Sequence, residues 1–520
     1  MNYHLNEKKD VAMSKPFLFS NYGRNAKGIN IFRSIVALVI FLCVIWGCLI
    51  VKIVVDISND ETINHPGGLV ARPEIHRFGN SLRRGIKKME LGIERKSPKL
   101  EVEQMDSPVL IFTFRRANYL ERTLWKLYQH HPAQRAQHGN NLGRIIGAPI
   151  IISQDGNDPG VKAVIDAYRD AFEINLGVPL YRLEHMQQPP DENTEEKNFW
   201  EIDSKPYKDL AIHYGWALEQ TFSGAAYDLD TRHDRRFSEP PLPKRVVILE
   251  EDIEIGVDFF SLMNATADLL DSDKTLLAVS GYNDNGKAQL VGDPKRLVRS
   301  DFFPGLGWMM PRRVWDGDEM YPNAALKLDW APNGYWDDWL REPNIRCGRQ
   351  ILRPEMSRSY HFGNMHGVTQ NGINNQILLD RVDIEFEKED LSYLKPEWFA
   401  ESYWRRVSNA KLVPTAADAK FYIAHSDVRM VYTSFAEFES LALDFDIKSD
   451  EKAGMVRTGY EGIVEVRYAK GEFIIFIAPP YVNEGVAPPT FGKKAWMKLD
   501  KTQLMELFGL KTASELDWPY

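Results

Sequence analysis

The run Glu250-Glu251-Asp252 places three carboxylates directly after an apolar stretch of the chain. Three adjacent like charges repel one another unless a cation joins them. A hard divalent ion, which prefers oxygen ligands, is the natural partner of such a group. An ion held by only one or two carboxylates keeps positions open for a diphosphate, so the run predicts a sugar-nucleotide site. The alternative is the acidic start of a helix, where the helix dipole favours negative side chains.

Two further segments combine aromatic side chains with groups that could contact a sugar. Residues 301–308 contain two glycines, which permit close backbone approach, and aromatic rings that could line a sugar site. Asp337 and Asp338 lie between Trp336 and Trp339. A carboxylate held against a sugar hydroxyl can act as a general base. The alternative for this second segment is aromatic core packing with the two aspartates at the surface.

The elements that must position these residues alternate between strands and helices. Continuous apolar runs predict buried strands at residues 108–114, 149–153, 179–183 and 245–249. Helical spacing of apolar residues predicts helices at residues 118–131, 160–173 and 205–222. The alternation is typical of an α/β fold with a mainly parallel sheet and helices on both faces. Ligands bind such sheets beyond the carboxyl ends of the strands, where Asp155 and the acidic run both lie.

The pattern changes after about residue 391. Shorter strands are predicted at residues 429–433, 462–468 and 472–477, with a helix at residues 435–445. We therefore expect a catalytic domain at residues 107–390 and a smaller α+β domain at residues 391–520. Residues 223–244, which are polar and end in prolines, predict a surface loop or insertion.

The amino-terminal part differs from the rest in charge and hydropathy. Residues 34–51 carry no charge, and the apolar character resumes at 53–55. About 20 such residues suffice to cross a bilayer, so residues 34–55 predict a transmembrane signal anchor. The basic leader at residues 1–33 predicts a cytosolic tail, with residues 56–106 as a stem and the bulk luminal. The alternative, a cleaved signal peptide, is disfavoured by the long leader and the absence of a small-residue cleavage site.

Composition excludes several other classes of protein. The chain has 520 residues, of which 44% are hydrophobic and 26% charged, and its formal net charge is −9. Nucleic acid is a poor candidate partner because phosphate binding requires a basic surface. With Cys43 and Cys48 in the predicted anchor, Cys347 alone remains, so no intrachain luminal disulfide is expected. The glycine-rich loops that bind dinucleotides or ATP are absent from the sequence.

Several ordered motifs together resemble the N-acetylglucosaminyltransferase I family, glycosyltransferase family 13. The motifs lie at residues 153–155, 213–218, 247–252, 258–260, 283–287, 301–308, 336–339 and 353–358. The resemblance covers about residues 108–480. It implies a GT-A (Rossmann-like) fold and an inverting, Mn²⁺-dependent transfer from UDP-GlcNAc. The implied acceptor is the α-1,3-linked mannose of a Man5 N-glycan on a glycoprotein, reached in β-1,2 linkage at the Golgi membrane by a single-pass type II enzyme.

The resemblance also implies roles for residues on the donor side. Arg116, with Arg115 as the alternative, is expected to contact the nucleotide sugar, and Asp155 the uracil. His213 is expected to reach the nucleotide or its phosphates. Glu251 matches a ribose-binding position, although the family usually has Glu-Asp-Asp where this chain has Glu-Glu-Asp. Thr369 matches a serine position in a loop expected to order over the diphosphate.

Two residues are expected to carry the chemistry itself. Asp252 matches the metal ligand, and Asp337 matches the catalytic base, with Asp338 as the alternative. Two competing functions remain at this stage. One is the same transfer to another acceptor such as O-linked mannose, and the other is a non-catalytic Golgi carbohydrate-binding protein on the same fold.

Overall fold

The computed structural model describes residues 102–104, 107–134, 145–185, 199–229, 241–321, 323–331, 334–363, 382–468 and 471–479. The predicted tail and anchor, nearly all of the predicted stem, and Thr369 lie outside these residues. Within the described ranges, no helix combines the length and the apolar character needed to cross a bilayer.

The described strands are numbered in chain order. They are β1 (Val102–Gln104), β2 (Val109–Thr113), β3 (Ile145–Gly147), β4 (Ile150–Asp155), β5 (Leu180–His185), β6 (Arg245–Glu250), β7 (Ile253–Ile255), β8 (Leu276–Ser280), β9 (Leu297–Ser300), β10 (Trp308–Pro311), β11 (Gln350–Pro354), β12 (Ser359–His361), β13 (Lys411–Leu412), β14 (Val428–Val431), β15 (Glu451–Lys452), β16 (Met455–Val456), β17 (Val464–Val466) and β18 (Ile475–Ala478).

The described α-helices are numbered in the same way. They are α1 (Ala117–His130), α2 (Pro159–Asp170), α3 (Phe199–Ser223), α4 (Ala225–Leu229), α5 (Phe259–Ser272), α6 (Arg312–Asp316), α7 (Trp336–Arg341), α8 (Pro343–Arg346), α9 (Pro396–Asn409), α10 (Ala416–Tyr422) and α11 (Phe435–Phe445). Helix α2 continues as a π-helical turn, Ala171–Leu176, which ends at Gly177 with φ 66°. Short 3₁₀ turns lie at Leu326–Leu328, Phe386–Lys388 and Ser392–Leu394.

An eight-stranded sheet forms the centre of the fold, in the order β5-β4-β2-β6-β10-β8-β11-β9. The four strands predicted from apolar runs are the neighbours β5, β4, β2 and β6, and they pair in parallel. Beyond β6 the sheet is mixed, because β10 runs antiparallel to both β6 and β8. The prediction of an α/β fold with a large, mainly parallel sheet is therefore confirmed, with an antiparallel part that the apolar runs did not predict.

Both faces of this sheet are buried beneath helices. Along β2, Val109 and Ile111 point into one buried cluster with residues of α1, α2 and α5. Leu110 and Phe112 point into the opposite cluster with residues of α3. Alternate side chains of a strand face opposite sides, so a strand buried on both faces reads as an unbroken apolar run. This is the physical reason why the four parallel strands could be recognised from the sequence.

The later part of the chain forms a second, four-stranded sheet in the order β13-β14-β18-β17. Its strands overlap the three predicted there, and α11 has the predicted bounds. Phe399, Tyr403 and Phe476 belong to the same buried cluster as one face of the large sheet. The domain boundary at residues 390/391 stays a prediction. In the predicted insertion, residues 225–229 form helix α4, and residues 230–240 lie outside the described residues.

Candidate active site

The acidic run occupies a tight turn between β6 and β7, at the edge where the parallel strands end. Glu250 closes β6 and is paired across the sheet with Phe112 of β2. The backbone N–H of Glu251 donates to the carbonyl of Phe112 at 3.0 Å, and the N–H of Phe362 donates to the carbonyl of Asp252 at 3.0 Å. These bonds fix the turn to β2 on one side and to the segment after β12 on the other. Because strand β7 follows the run, the alternative of a helix start is wrong.

Glu251 uses both carboxylate oxygens on neighbouring groups of its own chain. Its Oε2 accepts hydrogen bonds from the Thr113 hydroxyl and from the backbone N–H of Phe114, the latter at 2.9 Å. Its Oε1 accepts from Arg116 Nε at 2.5 Å. Only 4% of Glu251 is exposed. The Glu251 carboxylate thus connects the end of β6 to the loop after β2. Both of its oxygens are already bound by groups of the same chain, which differs from a carboxylate that is free to bind a ribose.

Asp252 is buried between two cationic groups and keeps one oxygen unpartnered. Its Oδ2 lies 2.9 Å from Arg116 Nη2 and 3.4 Å from His361 Nε2. Its Oδ1 is buried without a hydrogen-bond partner among the described residues. Burial alone would raise the pKa of Asp252, but His361 and Arg116 lower it, so the carboxylate is charged. A buried charged oxygen without a partner is the signature of an absent cation or donor.

No group of three or more His, Cys, Asp or Glu side chains among the described residues could hold a metal ion by itself. An ion at Asp252 would therefore take most of its ligands from water or from a bound diphosphate. That arrangement is the open one expected of a metal that bridges protein and nucleotide.

Glu250 connects the acidic turn to the aromatic residues of α3 and α7. Its Oε1 accepts a hydrogen bond from the Tyr214 hydroxyl at 2.8 Å. Burial and the charge of Asp252 raise the pKa of Glu250. The Tyr214 ring is stacked between Phe112, with centroids 3.7 Å apart, and Trp336, with centroids 4.4 Å apart. The stack therefore joins the turn after β6 directly to the first residue of α7.

Asp337 and Asp338 follow Trp336 in the first turn of α7. Arg341 Nη1 lies 2.9 Å from Asp337 Oδ2 and 2.5 Å from Asp338 Oδ1. Asp338 has a second cation, because Lys452 Nζ lies 3.2 Å from its Oδ2. The Asp337 side chain is 44% exposed and has the shared Arg341 as its ion-pair partner. Of the two carboxylates, Asp337 is the less engaged and the more accessible.

Asp337 and the acidic turn both act electrostatically on Tyr214. Burial, Glu250, Asp252 and then Asp337 raise the pKa of Tyr214 well above its ordinary value. The structure thus brings together a candidate base and a candidate metal ligand around one phenol.

The groups predicted for the nucleotide gather at the ends of β4 and β5. Asp155 Oδ1 lies 2.9 Å from His185 Nδ1, and the two residues are paired across the strands. The His185 ring is stacked on His213, with centroids 5.1 Å apart. His213 Nε2 lies 2.7 Å from the Ser153 hydroxyl. Burial lowers the pKa of His213 to about 3, so its imidazole is neutral and can contact a nucleotide only as a hydrogen-bonding group.

The two adjacent arginines after β2 differ in environment. Arg115 is exposed, with its guanidinium over the Phe114 ring at 4.2 Å. Arg116 is half-buried against Glu251 and Asp252, and its buried Nη1 has no hydrogen-bond partner in the part of the chain that the structure describes. Burial would lower the pKa of Arg116, but the two carboxylates raise it. Arg116 is therefore a charged donor with unused hydrogen-bonding capacity beside Asp252.

Most of the predicted sugar-lining aromatics are core residues. Phe303 and Trp308 are 0% and 2% exposed, and Trp336 and Trp339 are 7% and 6% exposed. Tyr335, at 40%, is the exposed ring of this group. The idea that residues 301–308 line a sugar through their aromatic rings is wrong, because these rings fill the space between the sheet and α7.

Sequence reasoning missed three groups that the structure places in the site. Tyr214 lies inside a recognised motif but was not singled out, and Arg341 could have been found from its i+4 and i+3 spacing to Asp337 and Asp338. No motif or spacing in the sequence indicated His361. It reaches Asp252 only because β12 pairs with β7.

A family model and a named relative both match most of the chain. A family model described as "GNT-I family" matches residues 70–489. The chain is 35% identical over 386 residues to the alpha-1,3-mannosyl-glycoprotein 2-beta-N-acetylglucosaminyltransferase of Arabidopsis thaliana, covering 72% of this chain and 74% of that protein.

Two solved structures are also similar over part of the chain. A mannosyltransferase from S. cerevisiae in complex with GDP has a TM-score of 0.24 at 11% identity, covering 55% of this chain and 81% of that chain. Core-mannan synthase A from Aspergillus fumigatus, in an Mn/GDP form, has a TM-score of 0.23 at 12% identity, covering 52% and 84%. Scores this low carry no argument about the fold.

Proposed function

The chain belongs to the GNT-I family, and we propose that it transfers GlcNAc from UDP-GlcNAc, in β-1,2 linkage, to the α-1,3-linked mannose of a Man5 N-glycan. Such a transfer starts the synthesis of hybrid and complex N-glycans. The name of the plant relative supports the reaction and the acceptor class. The observation that carries the proposal is the chain of contacts from α7 to the acidic turn, in which Trp336, the residue before Asp337, stacks on Tyr214, and Tyr214 donates to Glu250.

Asp337 acts as the general base in this proposal. It accepts the proton of mannose O2 while that oxygen attacks the anomeric carbon of GlcNAc. The bond from the anomeric carbon to the diphosphate oxygen breaks, UDP leaves, and the configuration inverts. Asp337 suits this role better than Asp338 because it is more exposed and has fewer cations on its carboxylate. A base that accepts the proton in the transition state is worth about 10²–10⁴-fold in rate.

A Mn²⁺ ion fits the residues around Asp252. The charged carboxylate of this buried side chain, whose Oδ1 has no hydrogen-bond partner among the described residues, supplies the oxygen ligand that such an ion prefers. When bound, the ion would neutralise charge on the diphosphate leaving group. Arg116, with its unpartnered Nη1, would donate to the same diphosphate. Thr369 is assigned to that diphosphate as well, from the sequence alone.

The nucleoside end of the donor is assigned to the ends of β4 and β5. Asp155 would accept from the uracil edge, with His185 holding its carboxylate, and the neutral His213 would donate or accept a hydrogen bond. Glu251 is assigned near the ribose, where its main action is to hold Arg116 in place.

The cellular setting belongs to the same proposal. We assign the catalytic part to a GT-A fold, with residues 34–55 as the anchor of a single-pass type II protein of the Golgi membrane. The charge asymmetry around residues 34–55 supports this orientation.

The test uses the purified full-length chain in detergent, with UDP-GlcNAc and Mn²⁺. One reaction receives a Man5 N-glycan and a second receives an O-mannosyl peptide. We expect transfer to the N-glycan, with a β-1,2 product, and a kcat that falls about 10²–10⁴-fold when Asp337 is replaced by asparagine. Transfer to the O-mannosyl peptide alone would overturn the acceptor assignment, and no transfer to either would favour a non-catalytic carbohydrate-binding role.

A further inference from the structure

Strand pairing brings a histidine to the candidate metal ligand. Strand β12 runs antiparallel to β7, with His361 opposite Ile253, the residue after Asp252. The N–H of Phe362 donates to the carbonyl of Asp252 at 3.0 Å, which fixes the two segments against each other. His361 therefore lies beside Asp252 because of the backbone ladder, independently of any attraction between the two side chains.

The distance between the two side chains is slightly longer than the separation of two adjacent ligands on one ion. His361 Nε2 lies 3.4 Å from Asp252 Oδ2. Two ligands at right angles on an ion, with bonds of about 2.1–2.3 Å, lie roughly 3.0–3.3 Å apart. The His361 side chain is 15% exposed and that of Asp252 is 4% exposed, so solvent reaches the pair mainly at the histidine.

Glycine at position 363 keeps the gap between the pair free of side-chain atoms. A Cβ on Gly363 would lie 2.7 Å from His361 Nε2 and would overlap Asp252 Oδ2. Any other residue here would push Asp252 and His361 out of their positions. The Asp252 Oδ1, buried and unpartnered, is a second sign that a cation completes this group.

We infer that His361 is a second protein ligand, through Nε2, of the divalent ion held by Asp252. The inference rests on the proposed function, which assigns the metal to Asp252 alone. One carboxylate and one imidazole leave about four positions of an octahedral ion for a diphosphate and water.

Imidazole ligation has a consequence for the choice of metal. Nitrogen ligands favour first-row transition ions, whereas Mg²⁺ and Ca²⁺ prefer oxygen ligands alone. A site with one imidazole therefore selects Mn²⁺ over Mg²⁺ more strongly than a site of oxygen ligands. The rival arrangement is a protonated His361 that pairs with Asp252 and never touches the metal.

The test is direct Mn²⁺ binding to the full-length protein, with saturating UDP and a protein-free blank. The electron paramagnetic resonance signal of free Mn²⁺ gives the affinity, and pulsed measurements detect the ¹⁴N coupling of a directly bound imidazole. We expect this coupling in the wild type and its replacement by ¹⁵N coupling after histidine labelling. In His361→Gln we expect the coupling to be lost, affinity to fall at least about tenfold, and Mg²⁺ to displace Mn²⁺ more readily.

Two further variants separate the outcomes. His425→Gln, which changes an exposed histidine outside the site, should bind Mn²⁺ as the wild type does. Asp252→Asn should lose Mn²⁺ binding; if it does not, the metal assignment of the proposed function fails. If Asp252→Asn loses the metal but the wild type shows no nitrogen coupling, then only the ligation by His361 is overturned. This conclusion holds even if His361→Gln binds Mn²⁺ more weakly than the wild type.

Discussion

Replacing Asp337 by asparagine removes the proposed base while keeping the shape of the side chain. The surrounding structure should remain in place. Arg341 keeps its bonds from Nε to the carbonyl of Phe303 at 2.9 Å and from Nη1 to Asp338 at 2.5 Å. The lost ion pair involves a carboxylate that is 44% exposed, and exposed pairs contribute at most about 1 kcal/mol. We therefore expect a folded protein with an unchanged donor site.

The expected loss is catalytic. A general base contributes about 10²–10⁴-fold, which corresponds to about 2.7–5.5 kcal/mol in the activation barrier. The fall should appear in kcat. The KM for UDP-GlcNAc should change little, because the proposal assigns Asp337 to the acceptor oxygen and assigns the donor to Asp155, Arg116 and Asp252.

The assay measures steady-state transfer to a Man5 N-glycan with both substrates varied, for the wild type, Asp337→Asn and Asp338→Asn. In the matched control, Asp338→Asn removes a carboxylate held by Arg341 and Lys452. We expect it to reduce kcat far less than Asp337→Asn. If Asp337→Asn retains the wild-type kcat while Asp338→Asn loses it, the base is Asp338 and the reasoning from exposure and ion pairing is refuted.

Three further predictions concern stability and metal binding. His131 is fully buried, and burial lowers its pKa to about 4 from an ordinary 6.5. Because the unfolded chain therefore binds more protons below pH 6.5, the free energy of unfolding should fall by about 1.4 kcal/mol per pH unit toward pH 4. Urea unfolding should show this fall, and it should be smaller in His131→Gln. Arg299, buried with four hydrogen-bonding contacts that include Asp273, should cost about 3–5 kcal/mol on truncation to alanine. Truncation of the exposed Arg405 should cost under about 1 kcal/mol. Gly363→Ala should weaken Mn²⁺ binding, because the added Cβ would displace Asp252 and His361; tighter or equal binding would contradict the close packing around this glycine.

The sequence was informative where a local pattern has one structural meaning. The run at residues 108–114 is apolar at every position because β2 is buried on both faces, and Asp155 and Glu250 could be placed at strand ends for the same reason. Helix α11 has its predicted bounds because the Ser434 side chain caps it.

Side-chain direction was less predictable than the elements. The tryptophans at 336 and 339 could either face a sugar or pack in the core. The structure bears out the second alternative, because a large aromatic ring stabilises the fold most when it is buried. The order of acidic and aromatic residues at 336–339 does not indicate which of the side chains face the core.

The amino-acid sequence by itself determined the family, the four parallel strands and the carboxylates at their ends, since each depends on residues close together in the chain. The tertiary structure decided which of these carboxylates are already engaged. Glu251 is held by Arg116 and Thr113, whereas Asp252 keeps an oxygen without a hydrogen-bond partner among the residues that the structure describes. It also decided that His361 lies against Asp252, because pairing between β7 and β12 depends on backbone hydrogen bonds between segments far apart in the chain, which no local spacing encodes.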